Sequence, residues 1–471
     1  MDKRVVFLIV LNILLRIHLL LIRPISMFPD SFRYLNAVEI LSQNSLAFYE
    51  APLYIFLQTT WYTIFTNQIL LELFWKLTAF IFFIGFLALL PTLFKQLKLK
   101  TNEQIIVLIL LLFSSWSLLL SGAIMQEFLL TFLVIAMFIV TNKLFENPKL
   151  KYILLTIILT TLIFATKQTS LFIMTGFALY GLIQKVSWKY KVGFLMILFV
   201  GFILYSPWLI KNQLAYGNAV IGNDGSASIF TWDKLIQFKD LGFYKEQTIK
   251  SYYYFWEIPR PDKVALAGAF SGGITSVMYA GYNLTALIGT LAVSLLILLG
   301  IVKYGWRYKK YLLLILPIAS FTMIYFNYLN YFDFADTGRY TFPLHFIFYF
   351  FAAKYLESLK SINWKRFFYL LIILFVIISI VSAFGITYHI KGIDNQLMLA
   401  VPIVASSQAI NYVSNDEFST NVLDYYSKKP IKFYLKHNER DYSINCNSDI
   451  VFESKNLVIS DTGVDLKICR Q

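Results

Sequence analysis

Apolar positions in this chain come in long blocks, not with the period of a strand or of an amphipathic helix. The blocks fall near residues 5–22, 70–94, 104–121, 127–141, 152–166, 169–184, 192–209, 284–302, 311–328, 341–357 and 367–388. Most approach the ~20 residues that an α-helix needs to cross a bilayer, so the pattern predicts about eleven transmembrane helices. One further apolar stretch, "PLYIFLQTTWYTIF" at 52–65, has only about two-thirds of a spanning length.

The polar connections decide how these helices are threaded. With "MDKR" on the inner side and 52–65 lying along the surface, every second connection also falls inside. These are "KQLKLK", "NKLFENPKLK", "QKVSWKYK", "KYGWRYKK" and "KSINWKR", all rich in Lys or Arg. Cytoplasmic loops carry that excess. Counting 52–65 as a span would put all of them outside. The expected topology is therefore N-terminus in and C-terminus out. The outer side then holds the segments 23–69 and 209–283, a stretch near 329–340 and a tail from about 389.

Composition agrees. The chain is 58% hydrophobic and 14% charged, with mean hydropathy +0.64, whereas a soluble domain carries about 25% charged residues. The 44 Phe and 31 Tyr suit a lipid-facing surface with aromatic residues at its borders. The net charge of +14 does not point to nucleic acid, because the basic residues sit in short clusters between apolar runs. The first apolar run resembles the start of a signal peptide. Arg16 and His18 interrupt it and no small-residue cleavage site follows, so it reads as an uncleaved helix. The membrane domain is assigned to 1–388.

The tail, 389–471, is not membrane-like. "AVPIVASSQAINYVSND" reads as a linker and helix, and "NVLDYY", "PIKFYLK", "DIVFES" and "NLVIS" read as short strands. The expectation is a small extracytoplasmic α/β domain. It holds both cysteines, Cys446 and Cys469, which read equally well as a disulfide or as two unrelated thiols.

On this topology the unusual polar residues collect on the outer side. Asp30 follows the first helix. Glu127 opens a later one in "SGAIMQEFLLTFL". Lys167 sits in the turn "FATKQTSLF". Asp336, Arg339 and Tyr340 lead into another helix in "FADTGRYTFPLHF". Each has an ordinary structural reading: a helix cap for Asp30 or Glu127, a snorkelling side chain for Lys167, a local pair with Asp336 for Arg339. Their convergence on one face favours a site, since ionisable groups at membrane depth are costly and face a cavity or a partner. A carboxylate there can take a proton from an acceptor hydroxyl. Lysine and arginine can hold the phosphate of a lipid-linked substrate.

The order of these motifs resembles that of the GT-C fold glycosyltransferases. The nearest groups are the bacterial relatives of the protein O-mannosyltransferases and of the aminoarabinose transferase of lipid A. The likeness covers residues 1 to about 357. It rests on Asp30, Tyr34 and Ala37 in the first outer loop, the following "APLYIFLQTTWYTIF", Glu127 and Lys167. "SPWLIKNQLAYGNAVIGNDG", "GRYTFP" and Arg16 within the first helix complete it. Two departures stand out. Asp30–Ser31 replaces two consecutive acids, which leaves metal binding in doubt, and Lys211–Asn212 replaces Arg–Asn.

The resemblance implies a multipass enzyme of the cell membrane that takes a sugar from a polyprenyl-phosphate donor. The sugar goes to a glycan, lipid or protein acceptor at the extracytoplasmic face, with inversion and with no required cofactor. It makes Asp30 the catalytic base, with Glu127 positioning substrate or supporting Asp30. Lys167 and Arg339, with Lys211 and Arg16 behind them, become phosphate-binding residues. Tyr34, Tyr340 and Trp208 line the cavity. The rival readings are a transporter or flippase, a glycan polymerase or ligase that uses lipid-diphosphate donors, and a membrane anchor. Charge concentrated at one surface weighs against the first. Asp30 in the first loop weighs against the second, and the number of helices against the third.

Overall fold

A computed structural model of the chain describes residues 2–23, 29–43, 45–46, 48, 50–167, 169–216, 241–256, 276–322, 337–406, 412–414, 431–433, 450–454 and 466–470. It is built mostly of helices. In chain order they are α1 (Lys3–Ile22), α2 (Pro29–Ser42), α3 (Pro52–Ile64), α4 (Gln68–Gln96), α5 (Thr101–Phe113), α6 (Ser115–Leu120), α7 (Glu127–Glu146) and α8 (Leu150–Thr166). There follow α9 (Ser170–Leu182), α10 (Trp188–Tyr216), α11 (Leu241–Trp256), α12 (Ser276–Tyr304), α13 (Lys309–Phe321), α14 (Thr337–Thr341), α15 (His345–Glu357) and α16 (Ile362–Ser406). A 3-10 turn, Phe342–Leu344, joins α14 to α15.

The described part of each predicted apolar run is mainly helical, and residues 323–328 of the run 311–328 lie outside the described residues. Among the described residues, six helices are long and apolar enough to cross a membrane: α1, α4, α7 and α10, with Thr285–Tyr304 of α12 and Ile362–Gly385 of α16. The other runs form shorter helices, α5, α8, α9, α13 and α15. Helix α7 lies at the centre, with 67% of its apolar window buried inside the protein, against 22% for α10 and 28% for α1. Phe7, Val10, Leu14, Ile17 and Leu21 of α1 are exposed at helical spacing, which is the stripe a lipid-facing helix presents.

Close backbone approach sets the inner contacts. Gly176 of α9 packs directly on the Leu314 carbonyl of α13, and Gly300 of α12 on the Phe351 carbonyl of α15. A side chain at either position would part the helices, the usual reason for small residues at helix crossings in membranes. The Lys- and Arg-bearing connections gather at one end. There Lys354 pairs with Glu103 at 2.6 Å, and Lys303 donates to Ser358 Oγ at 2.9 Å. Glu103 also accepts from the Lys100 N–H at 2.8 Å and so caps α5. Glu127 opens the opposite end of α7, about 30 Å away for its 20 residues.

The structure differs from the expected pattern in several places. The run 104–121 is two helices, because Ser114 turns extended (φ −65°, ψ 147°) and its hydroxyl caps Ser117 N–H at 3.4 Å to start α6. Helix α10 runs on to Tyr216 past Pro207, and α11 occupies part of the stretch read as a loop. Helix α16 continues through residue 389 to Ser406, so no break marks the expected domain boundary. Beyond it stand four strands, β1 (Tyr412–Ser414), β2 (Ile431–Phe433), β3 (Ile450–Ser454) and β4 (Leu466–Arg470). They form one sheet in the order β2-β1-β4-β3. The β1–β2 pair is parallel and the other two are antiparallel. Strands β2 and β3 lie where strands were read, β1 replaces part of a predicted helix, and β4 was not foreseen. The predicted strands "NVLDYY" and "NLVIS" and Cys446 lie outside the described residues, as does the side chain of Cys469.

Candidate functional site

Three separate stretches meet at the N-terminus of α7. Glu127 begins that helix, is fully buried, and is followed by Thr131, whose hydroxyl donates to the Glu127 carbonyl at 2.7 Å. Lys167 ends α8 in an extended conformation (φ −155°, ψ 136°). Arg339 is carried by the short α14. Gly338 beside it is tight against the Phe255 carbonyl and the Trp116 indole, which holds this turn close to the bundle.

One carboxylate oxygen serves both cations. Lys167 Nζ and Arg339 Nε each donate to Glu127 Oε1 at 2.7 Å. The three side chains are 8%, 7% and 1% exposed in the order Lys167, Arg339, Glu127. Glu127 Oε2 is buried and meets no hydrogen-bond partner among the described residues. Tyr340 covers the group, with Lys167 Nζ 4.2 Å and Arg339 Cζ 5.7 Å from its ring centre. The group sets two cationic side chains together away from bulk water. Such a site suits an oxyanion. Glu127, engaged by both cations, is placed to hold them in position.

The first outer segment reaches the same place. Ser31 Oγ of α2 donates to the Ile124 carbonyl at 3.3 Å, so the first turn of α2 rests on the turn that leads into Glu127. Asp30 belongs to that first turn, and its side chain lies outside the described residues. Tyr34 of α2 is buried and meets Tyr54 of α3 edge to face, at 5.4 Å between ring centres. The buried Tyr54 hydroxyl is raised above its ordinary pKa chiefly by burial and also by the Glu127 charge, so it is a donor throughout the physiological range. Tyr54 was not singled out as a site residue. Its position in the "APLYIF" element was the available signal.

Two predicted phosphate ligands are engaged elsewhere. Lys211 forms a separate group, donating to the Phe48 carbonyl and to Asn212 Oδ1 at 3.1 Å, with its Nζ 4.3 Å from the Trp208 ring centre. Arg16 is a latch on the α5–α6 break. Its guanidinium donates to the Leu112 carbonyl at 2.8 Å, to Ser117 Oγ at 2.7 Å, to the Ser117 carbonyl and to Asn12 Oδ1. Asn12 adds a second bond to the Leu112 carbonyl at 2.9 Å. The Leu112 carbonyl, freed by the break, is thereby satisfied inside an apolar run, where an unpaired one is expensive. Arg16→Met should therefore lower stability by about 1–3 kcal/mol, read as thermal unfolding in detergent, with undecaprenyl phosphate affinity unchanged. Weaker lipid binding at unchanged stability would return Arg16 to the site.

Among the described residues no three His, Cys, Asp or Glu side chains come together as a metal site.

No family model matches the chain, and no curated protein does. Solved structures do. The crystal structure of ArnT from Cupriavidus metallidurans bound to undecaprenyl phosphate is similar at TM-score 0.55 and 10% identity, over 92% of this chain and 86% of that one. The same protein in the apo state is similar at TM-score 0.51 and 9% identity over the same shares. At such identities the likeness establishes the fold. The chain is a multipass helical membrane protein whose fold is similar to that of ArnT, one of the groups the motif order resembles.

Proposed function

We propose that this protein is an integral membrane glycosyltransferase that moves a sugar from a polyprenyl-phosphate donor to an acceptor at the extracytoplasmic face. The observation that carries the reading is the buried Lys167–Glu127–Arg339 group, set at one end of a fold it shares with a protein that binds undecaprenyl phosphate. The group lies opposite the Lys- and Arg-rich connections, which the positive-inside rule assigns to the cytoplasm. The short helices α2 and α3 then lie along the outer surface, and the apolar runs thread the membrane about eleven times.

In the proposed reaction the donor's phosphate sits on Lys167 and Arg339. The acceptor hydroxyl or amine loses its proton to Asp30 and attacks the anomeric carbon from the face opposite the phosphate. A new bond from carbon to the acceptor atom forms, the carbon–oxygen bond to phosphate breaks, and the electron pair leaves on polyprenyl phosphate. The configuration inverts. Lys167 and Arg339 stabilise the leaving anion. Glu127 keeps the two cations together, while Tyr34, Tyr54 and Tyr340 shape the cavity around the sugar. Lys211 would act only at the rim.

Transporters often build their substrate sites from discontinuous helices, and the α5–α6 break is a discontinuity within an apolar run. Here Arg16 and Asn12 both bind the Leu112 carbonyl that it frees, which favours a fixed scaffold and hence surface chemistry. The deciding experiment incubates membranes containing the protein with a panel of polyprenyl-phosphate sugars. Sugar release or transfer by the parent and not by Asp30→Asn is expected. No turnover with any donor would overturn the reading in favour of transport.

A further inference from the structure

Helix α1 carries two buried arginines seven residues apart, Arg16 and Arg23, and both reach the α5–α6 region. Their surroundings differ. Arg16 finds main-chain and side-chain acceptors for all three of its nitrogens. Arg23 is 2% exposed. Its Nη2 donates to the Leu118 carbonyl at 2.9 Å, while Nε and Nη1 are buried and have no acceptor among the described residues. A guanidinium does not escape this by losing its proton. Left alone, a buried charge with open donors is costly.

The place is prepared for that group. Gly122 faces Nη1, and a Cβ there would stand 3.0 Å from it and 2.9 Å from Leu20 Cδ1. Lys76 Nζ of α4 donates to the Arg23 carbonyl at 3.0 Å, which brings a second cation to the same residue. Among the described residues no carboxylate pairs with Arg23. The site also adjoins the one described above. Gly122 lies in the turn that ends at Glu127, and the same turn receives Ser31 of α2 through the Ile124 carbonyl.

We infer that Arg23 binds a phosphate oxyanion of a membrane lipid, at a subsite beside the Lys167–Glu127–Arg339 group. Guanidinium is the side chain best suited to phosphate in a site with little water. The bilayer surface, where α1 ends, is where lipid phosphates lie. That phosphate belongs either to the polyprenyl donor or to a phospholipid headgroup, and the first source rests on the glycosyltransferase reading.

The test uses the full chain, purified in detergent, with undecaprenyl phosphate and phosphatidylglycerol as separate probes and bound lipid counted by native mass spectrometry. Arg23→Gln should weaken one probe by about tenfold or more, the loss of a charge-assisted hydrogen bond, with Arg23→Lys intermediate. Loss confined to undecaprenyl phosphate places the donor's one phosphate within reach of Arg23 as well as of Lys167 and Arg339. Loss confined to phosphatidylglycerol places a bilayer headgroup there. Parent affinity for both probes in Arg23→Gln overturns the inference. If that variant does not fold, Gly122→Ala keeps the charge and crowds Nη1; it should show the same loss, and unchanged binding again overturns the inference. Because binding is read without turnover, an inactive protein with Arg23-dependent binding would sink the glycosyltransferase reading and leave this one standing.

Discussion

Glu127→Ala should cost more stability than any other single change at the site, about 3–5 kcal/mol for removing one partner of a buried ionic group. The carboxylate is fully buried and takes both Lys167 and Arg339 on one oxygen. Its loss leaves two like charges side by side beneath the Tyr340 ring. Glu127→Gln keeps the volume and one acceptor and should fall between parent and Ala. The sharper measurement is a double-mutant cycle. Lys167→Met alone and Glu127→Ala alone each break the group, and the double variant should be more stable than the sum of the two losses, by 0.5–3 kcal/mol for groups in contact. Thermal unfolding in detergent reads both. Strict additivity would mean that the group is not a unit, and its assignment as one phosphate site would fail. Undecaprenyl phosphate affinity should fall with Glu127→Ala as well, since the cations lose the anchor that holds them together.

That cycle concerns pairings the chain conceals. Lys167 and Arg339 lie 40 and 212 residues from Glu127, and charge patterning along the sequence predicts only that the three share a side of the membrane. The local alternative for Arg339 was Asp336, three positions away, which lies outside the described residues. Arg339 Nε donates to Glu127. The helices themselves were legible because an apolar run near 20 residues has few other uses. The break in 104–121 was not. Ser114 makes it, and Arg16 and Asn12 on another helix supply donors that make the interrupted backbone tolerable within an apolar run. The partners of Arg16 were hidden for the same reason: a buried arginine looks alike in sequence whether it faces a substrate or, as here, a carbonyl. Arg23, with open donors, was passed over because it sits at the end of an apolar run, where a basic residue is ordinary. In the tail, β4 escaped notice because "LKICR" mixes charge into a short strand without a bounding turn signal.

Asp30→Asn should give the largest loss of activity with the least change in fold. Removing a general base lowers turnover by about 10²–10⁴-fold. The amide has the same shape and can still accept a hydrogen bond from an N–H of the first turn of α2. What it gives up there is the favourable interaction of a negative charge with the N-terminus of α2, about 0.3–1 kcal/mol. Thermal unfolding should therefore move by a few degrees at most, and α2 should stay seated through Ser31 on the Ile124 carbonyl. Donor binding gives an independent check. A carboxylate near the phosphate repels it, so Asp30→Asn should bind undecaprenyl phosphate as tightly as the parent or more tightly, while transferring no sugar. This combination separates a base from a structural acid. A structural Asp30 would lose stability and binding together, and turnover would fall only with them. Normal turnover at normal stability would move the base elsewhere. Glu127, with its free Oε2 among the described groups, would be the next carboxylate to test. That outcome is disfavoured on electrostatic grounds, because an acid held by two cations within 2.7 Å is a weak proton acceptor.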